Sequence, residues 1–334
     1  MQALQLDGIK QPLVLTEVAT PAPGPGEVLV RLRAAALNHR DVWIQKGQYA
    51  GLKFPSILGS DGAGVVAALG EGADATLLGQ SVLINPGQNW GDNPKAQAKS
   101  FTILGLPHQG TFAEYVRVPA EKVHPLPAHL SFEQAAALPL GGVTAYRTLF
   151  TRAGLQAGEK VLITGVGGGV AILTLQMAVA AGAEVWVTSG SADKLARAQA
   201  LGARGGANYT DDSWAADLVR QAGGHFDVIV DSAAGSGFGA LLDAAAPGGR
   251  IVFYGGTLGP IPQVPPAKIF WKQLSILGST MGTDEDFAAL LRFVAEHRLV
   301  PIVDEVFPLA EGEAAMRRLA EGQQFGKIVL RIEG

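Results

Sequence analysis

At 334 residues the chain is longer than one hydrophobic core usually organises, so two domains are expected. With 48% hydrophobic and 17% charged residues it is not a disordered chain, and a net charge of −4 without a Lys/Arg cluster argues against nucleic acid or an anionic membrane as partner. It contains no cysteine, which excludes disulfides, thiolate metal sites and a cysteine nucleophile, and its first residues, MQALQLDGIK, lack the basic and apolar regions of a secretory signal, so a cytoplasmic protein is expected.

Residues 1–125 read as a compact β-rich domain. Pro21, Pro23 and Pro25 make a stiff entry to a strand in which Val28, Val30 and Leu32 alternate with Leu29, Arg31 and Arg33. Gly64-Val65-Val66 and Tyr115-Val116-Arg117-Val118 add further short strands. Residues 126–265 change to an α/β alternation. Strand-like runs from Val161 and over 184–188, 226–231 and 250–254 are separated by helical stretches at 193–201, 213–221 and 237–246, the pattern of a doubly wound parallel sheet. In the tail, 274–278 reads as another strand, open to assignment in the second domain's sheet. Helices at 287–296 and 311–321 and a strand at 327–332 follow, so the chain is expected to cross back and complete the first domain.

The stretch 160–175, KVLITGVGGGVAILTL, is the most informative. Val161-Leu162-Ile163-Thr164 has the apolar, β-branched character of a parallel strand covered on both faces, and Gly165, Gly167, Gly168 and Gly169 follow it directly. A strict G-x-G-x-x-G does not fit, whereas Gly165, Gly168 and Ala171 fit a G-x-x-G-x-x-A variant with Ala171 at the helix-packing position. Backbone N–H groups at such a turn attract anions, and residues without a Cβ let a pyrophosphate approach. A glycine turn of some other α/β protein is the alternative. No charged residue occurs between 161 and 183, yet four glycines within five residues break any continuous membrane helix, so a buried crossover helix is expected and no membrane contact.

Three segments together resemble the medium-chain dehydrogenase/reductase superfamily over nearly the whole chain. They are Asn38-His39-Arg40-Asp41 with Gly59-Ser60-Asp61-Gly62-Ala63-Gly64, the glycine turn, and Phe325-Gly326-Lys327-Ile328-Val329. The resemblance implies a chaperonin-10-like catalytic domain, here 1–125 with 266–334, enclosing a Rossmann domain, here 126–265, with the active site in the cleft between them. Zinc-dependent members carry Cys and His where this chain has Asn38 and Ser60, and a further Cys that it lacks, so no metal site is expected. Structural zinc is excluded, because the corresponding loop, 85–110, has no Cys. His39, Asp41 and Asp61 are the remaining metal candidates, set against a reading in which the two aspartates hydrogen-bond the scaffold. Within the superfamily the chain is similar to the zinc-free quinone oxidoreductase branch, which has Asn in its N-x-x-D segment and a Tyr after a Gly, here Gly47-Gln48-Tyr49. The loop from Asn85, with Trp90, resembles the subgroup called zinc-type alcohol dehydrogenase-like proteins.

An NAD site usually has an acid at the end of the second strand to bind the ribose 2′-OH. That strand ends here in Val187-Thr188-Ser189-Gly190-Ser191, with Glu184 at its start and Asp193 already in the next helix. Ser189, Ser191 and Lys194 suit a 2′-phosphate, and in the family a Gly-Ser-x-x-Lys pattern with a downstream Tyr, matched by Tyr209, marks NADP(H). Ser191 as a helix cap and Lys194 as a surface side chain are the compatible alternatives. The resemblance also places Thr144, Ser232, Gly255, Gly278, Ser279 and Lys327 in segments that touch the dinucleotide.

Without a metal, reduction of a simple ketone or aldehyde loses its Lewis acid, whereas a quinone or α,β-unsaturated carbonyl spreads the incoming charge onto an oxygen that hydrogen bonds stabilise. Asn38 and Tyr49 are the expected groups at that oxygen, with Tyr49 or water as proton donor and Asp41 beside them. Two milder roles stay open: Asn38 binding the cofactor ribose or a backbone group, and Tyr49 forming a pocket wall. The expected function is therefore NADPH-dependent reduction of a small-molecule quinone or enone. A zinc-free alcohol or aldehyde dehydrogenase and an NADPH-binding sensor without turnover are the alternatives. No G-x-S-x-G, P-loop or triad-like spacing competes, and Asp284-Glu285-Asp286 reads as helix-start charge. The apolar segment 274–281 is expected to be a sheet edge through which a homodimer forms.

Overall fold

The computed structural model describes residues 1–333, which divide into two compact units: Met1–Gly141 with the segment from Thr283 onward, and Gly142–Gly282. The division falls later than the expected boundaries at 125/126 and 265/266. The helix Pro139–Tyr146 spans the first boundary, and the strand Ser275–Gly278, whose assignment the sequence left open, lies in the second unit's sheet.

The first unit is built on a seven-stranded sheet. Its main path runs Val123–Pro125, Ser81–Ile84, Asp61–Leu69, Glu27–Ala36, Lys327–Arg331, Val303–Pro308, with Tyr115–Pro119 also paired to Glu27–Ala36. Val28, Val30 and Leu32 are buried as their alternation predicts, packed in one core with Phe112, Ile328 and Leu330. The returning tail does complete this sheet. Its last strand lies antiparallel to Glu27–Ala36, with Val329 opposite Ala36, while Asp61 pairs with Ala36 from the other side. That register brings the ends of three strands, far apart in sequence, to one place.

The acidic run at 284–286 behaves as helix-start charge. Thr283 and Asp286 form a capping box for the helix Asp284–Glu296, and Asp284 also accepts from Lys122 Nζ at 2.6 Å and Asn85 Nδ2 at 2.7 Å. Trp90 is buried in its own loop, donating to the Asn93 carbonyl and packing edge-on against Phe101.

The second unit is a six-stranded, wholly parallel sheet in the order Gly205–Asn208, Glu184–Ser189, Lys160–Ile163, Phe226–Asp231, Ala245–Phe253, Ser275–Gly278. The order reverses between the third and fourth of these strands, which is where open α/β sheets place their ligands. Leu162, Phe226, Ile229 and Ile251 from the sheet are buried with Phe238, Leu241 and Leu242 from the helix Phe238–Ala244. The uncharged stretch after the glycines forms the helix Gly169–Ala180, only twelve residues long, with Ile172, Leu173, Leu175 and Met177 buried. Among the described residues no helix is long and apolar enough to cross a membrane.

Candidate functional site: a glycine cradle and a buried polar cluster

In the second unit the strands run parallel, so their carboxyl ends lie along one edge of the sheet. Tyr209, Ser189, Gly165, Ser232, Gly255 and Ser279 each fall at the end of a different strand or within two residues of it. A residue spacing of more than 100 in the chain thereby becomes one row.

Contacts tie parts of that row together. Gly165 has φ +64° and Gly167 φ +131°, conformations that favour glycine, and a Cβ on Gly165 would come 3.7 Å from Ser232 Oγ. The Lys194 side chain crosses the turn, so a Cβ on Gly167 would lie 2.7 Å from its Cδ and 3.2 Å from its Nζ. The Tyr209 ring covers Gly190, where a Cβ would meet the hydroxyl at 2.9 Å. A Cβ on Gly168 would meet nothing within 4 Å, which leaves open space above the helix start, and that helix has no side-chain cap. Uncapped N–H groups below open space suit a phosphate.

Ala171 is buried, as a helix-packing position requires, and Gly168 and Gly169 are the cap and first residue of the helix. Ser191 caps the next helix, Ala192–Ala200, accepting from Lys194 N at 3.4 Å, and Ser189 Oγ accepts from Ser191 N at 3.3 Å. No carboxylate ends the strand Glu184–Ser189, and Asp193 faces Arg197 from the next helix at 3.9 Å. Asp231 is buried and organises the neighbouring turn, accepting from Thr164 Oγ1 at 2.5 Å and from Ala234 N at 2.7 Å. Ser279 Oγ is buried without a hydrogen-bond partner, and the Gly278 carbonyl accepts from Arg152 Nε at 3.0 Å. Thr144 lies in the helix Pro139–Tyr146 and is buried.

Asn38, Asp41 and Tyr49 belong to the first unit. Asn38 precedes the helix His39–Gln45, and Asp41 Oδ2 accepts from Asn38 N at 2.8 Å. The Asn38 side chain turns to the sheet, where Nδ2 donates to Asp61 Oδ2 at 3.0 Å and Oδ1 accepts from Lys327 Nζ at 2.6 Å. The Lys327 ammonium also donates to Asp61 Oδ2 at 3.0 Å and to the Leu37 carbonyl at 2.7 Å, so its three hydrogens are engaged inside this unit. The reason is electrostatic: Asp61 is fully buried and needs a cation beside it.

Arg40 was part of the motif without a role, and it organises the other side. Its guanidinium lies 5.0 Å from the Tyr49 ring centroid, donates from Nε to Tyr49 Oη at 3.4 Å, and from Nη1 to Ser60 Oγ at 2.8 Å and the Leu104 carbonyl at 2.9 Å. No spacing rule marks such a residue. A buried arginine bound chiefly to neutral oxygens is visible only once the loops are in place.

Residues 24–128 match the alcohol dehydrogenase GroES-like domain and 169–296 the zinc-binding dehydrogenase family. A zinc-type alcohol dehydrogenase-like protein, YogA, of Leptosphaeria maculans is 39% identical over 96% of this chain and 95% of its own length. The chain belongs to the medium-chain dehydrogenase/reductase superfamily, among its zinc-type alcohol dehydrogenase-like proteins. It is an oxidoreductase. A crystal structure of an NAD-dependent alcohol dehydrogenase is 41% identical with a TM-score of 0.94, each chain covered in full. The acryloyl-coenzyme A reductase of Metallosphaera sedula is 30% identical over 99% of both chains.

The glycine cradle of this dehydrogenase/reductase fits the nicotinamide dinucleotide that its superfamily uses. Its polar cluster does not fit zinc. Asn38 and Asp61 already surround an ammonium, Ser60 Oγ donates to the Leu104 carbonyl, and among the described residues no three His, Asp or Glu side chains group to hold a metal, which leaves the triad of His39, Asp41 and Asp61 unassembled.

Burial pushes the Asp41 carboxyl up to about 6 despite the opposing effects of Arg40, the Asn38 N–H and Lys327, and its Oδ1 has no hydrogen-bond partner. The folded-state pKa thus lies above the unfolded one. Asp41's contribution to stability is fully present below about pH 4 and lost as pH rises through about 6, by up to roughly 3 kcal/mol. Asp41→Asn, which keeps the acceptor for Asn38 N, is expected to gain on the parent by that order between about pH 4 and about pH 7.5 in urea denaturation. Parallel stability curves would refute the assignment.

Proposed function

We propose that this oxidoreductase uses NADPH to reduce a quinone or α,β-unsaturated carbonyl without a catalytic metal. The observation that carries the cofactor preference is Lys194 lying across Gly167 beside a strand end that has hydroxyls and no carboxylate. An acid there would repel a 2′-phosphate, and Lys194, Ser189, Ser191 and Tyr209 are the groups that would receive one.

Bound NADPH would supply the hydride. The chain's own part is to accept the charge that arrives with it. Asn38 has an uncommitted Nδ2–H, and Tyr49 Oη accepts from Arg40, which leaves its own proton to donate. Such neutral donors suffice for a conjugated acceptor whose charge is delocalised, and the likeness to acryloyl-coenzyme A reductase supports that substrate class. A second reading, a metal-free alcohol or aldehyde dehydrogenase, is favoured by the likeness to an NAD-dependent alcohol dehydrogenase.

Titration of metal-free protein is expected to show tighter binding of NADPH than of NADH, and NADPH oxidation by quinones or enones should exceed turnover of simple alcohols. Lys194→Ala should weaken NADPH binding roughly ten- to a hundredfold and leave NADH binding nearly unchanged, since one charge-assisted contact is worth about 1.5 to 3 kcal/mol. Equal loss for both cofactors would overturn the 2′-phosphate assignment. Tight NADPH binding with no turnover on any acceptor would favour the sensor reading.

We also propose a homodimer through the edge strand Ser275–Gly278. Among the described residues it pairs with one strand only, and Trp271 just before it is 83% exposed and Phe270 63% exposed. Sedimentation at micromolar concentration should give twice the chain mass, and Ile276→Lys should shift it to one. A monomeric parent would defeat the proposal.

A further inference from the structure

We infer that the Lys327 ammonium is a built-in cation that locks the Asn38 side-chain amide in one orientation, so that its remaining Nδ2–H is presented to the acceptor oxygen. Lys327 and Asp61 are then positioning residues. The inference rests on the proposed role of Asn38 as a donor to the acceptor.

The hydrogen-bond inventory carries the argument. The three hydrogens of the ammonium meet three oxygens: the Leu37 carbonyl, Asn38 Oδ1 and Asp61 Oδ2, at 2.7, 2.6 and 3.0 Å. Asp61 Oδ2 also accepts from Asn38 Nδ2, so Lys327, Asp61 and Asn38 close a ring of three hydrogen bonds. Asp61 Oδ1 accepts the backbone N–H of Leu140 at 2.8 Å, so both carboxylate oxygens are engaged and hold the carboxylate in one orientation.

An asparagine amide looks nearly the same with its oxygen and nitrogen exchanged, and its orientation must be set by its neighbours. Here the two ends face opposite charges. Turning the amide over would put NH₂ against an ammonium and C=O against a carboxylate, both repulsive, in a cluster where Lys327 is 4% and Asp61 0% exposed. The backbone is held as well, because Asp41 Oδ2 accepts from Asn38 N. One Nδ2 hydrogen goes to Asp61 and the other is uncommitted. Accepting from a cation at Oδ1 also polarises the amide and makes that hydrogen the better donor.

The strand register explains why a lysine does this. With Val329 opposite Ala36 on antiparallel strands, Lys327 comes level with Asn38, and with Ala36 opposite Asp61 the carboxylate arrives from the other side. The cation is delivered by the backbone of the returning tail.

Lys327→Met alone would leave Asp61 buried and unpaired, and misfolding would follow from that alone. The test therefore uses the double variant Lys327→Met with Asp61→Asn, which removes both charges at nearly constant size, together with Asn38→Ala and the triple combination. The double variant is expected to bind NADPH within about twofold of the parent and to lose roughly a hundredfold in kcat, as for loss of one donor to a developing oxyanion. The triple variant should be no slower than Asn38→Ala alone, because residues that act through one group are not additive. Parental kcat in the double variant, or losses that multiply in the triple, would overturn the proposal. So would a tenfold loss of NADPH affinity with kcat intact, which would return Lys327 to the dinucleotide. Exchange of the Asn38 side-chain amide protons, followed by NMR, should be slow in the parent and fast in the double variant. That readout needs no turnover, so an unlocked amide in the parent sinks the clamp, whereas a locked amide in a protein inactive on every acceptor sinks only the reductase reading.

Discussion

A carboxylate removed from water must have a cation beside it, and the first unit is arranged around the answer to that requirement at Asp61. The cation comes from the far end of the chain. For Lys327 to reach Asp61, the strand Lys327–Arg331 must lie against Glu27–Ala36, and that pairing is also what closes the seven-stranded sheet over the core of Val30, Leu32 and Leu330. Packing and charge thus select the same register. A slip by one residue would turn Ile328 and Leu330 out of the core and carry the ammonium to the other face of the strand.

The second unit solves a different problem with a different device. It needs a place for a polyanion without a cluster of buried charges, and it uses backbone. Parallel strands bring their carboxyl ends to one edge, the order reverses beside Lys160–Ile163, and the glycines there leave the start of the helix Gly169–Ala180 open. The cation drawn across the turn is Lys194, on a flexible stem and half-buried. Fixed polar atoms do the work in one unit and open backbone in the other.

A superfamily scaffold can host more than one chemistry, which its local residues decide. At the two ligand positions that the resemblance to zinc-dependent members assigns, this chain has the Asn38 amide, held by Lys327, and the Ser60 hydroxyl, held by Arg40. Beside them a covalently attached cation, the Lys327 ammonium, is shared among three oxygens, and an ammonium so engaged differs from a bound metal in offering no open coordination position.

Much of this was legible in the residues themselves. Alternation of apolar strands with helical periods set the parallel sheet, glycines directly after an apolar run set the turn, and the lack of an acid after Val187 set the character of the second strand's end, because these are local consequences of backbone sterics and side-chain period. The superfamily was legible by resemblance, carried by the segments around Asn38, Gly165 and Lys327 together. What the tertiary structure alone decided was partnership: that Lys327 bonds Asn38 and Asp61, that Arg40 lies against Tyr49, that Trp90 packs into its own loop, and that 275–278 belongs to the parallel sheet. Each of these depends on which distant segment satisfies a buried charge or an unpaired strand edge, and spacing along a chain carries no information about a neighbour some 290 residues away.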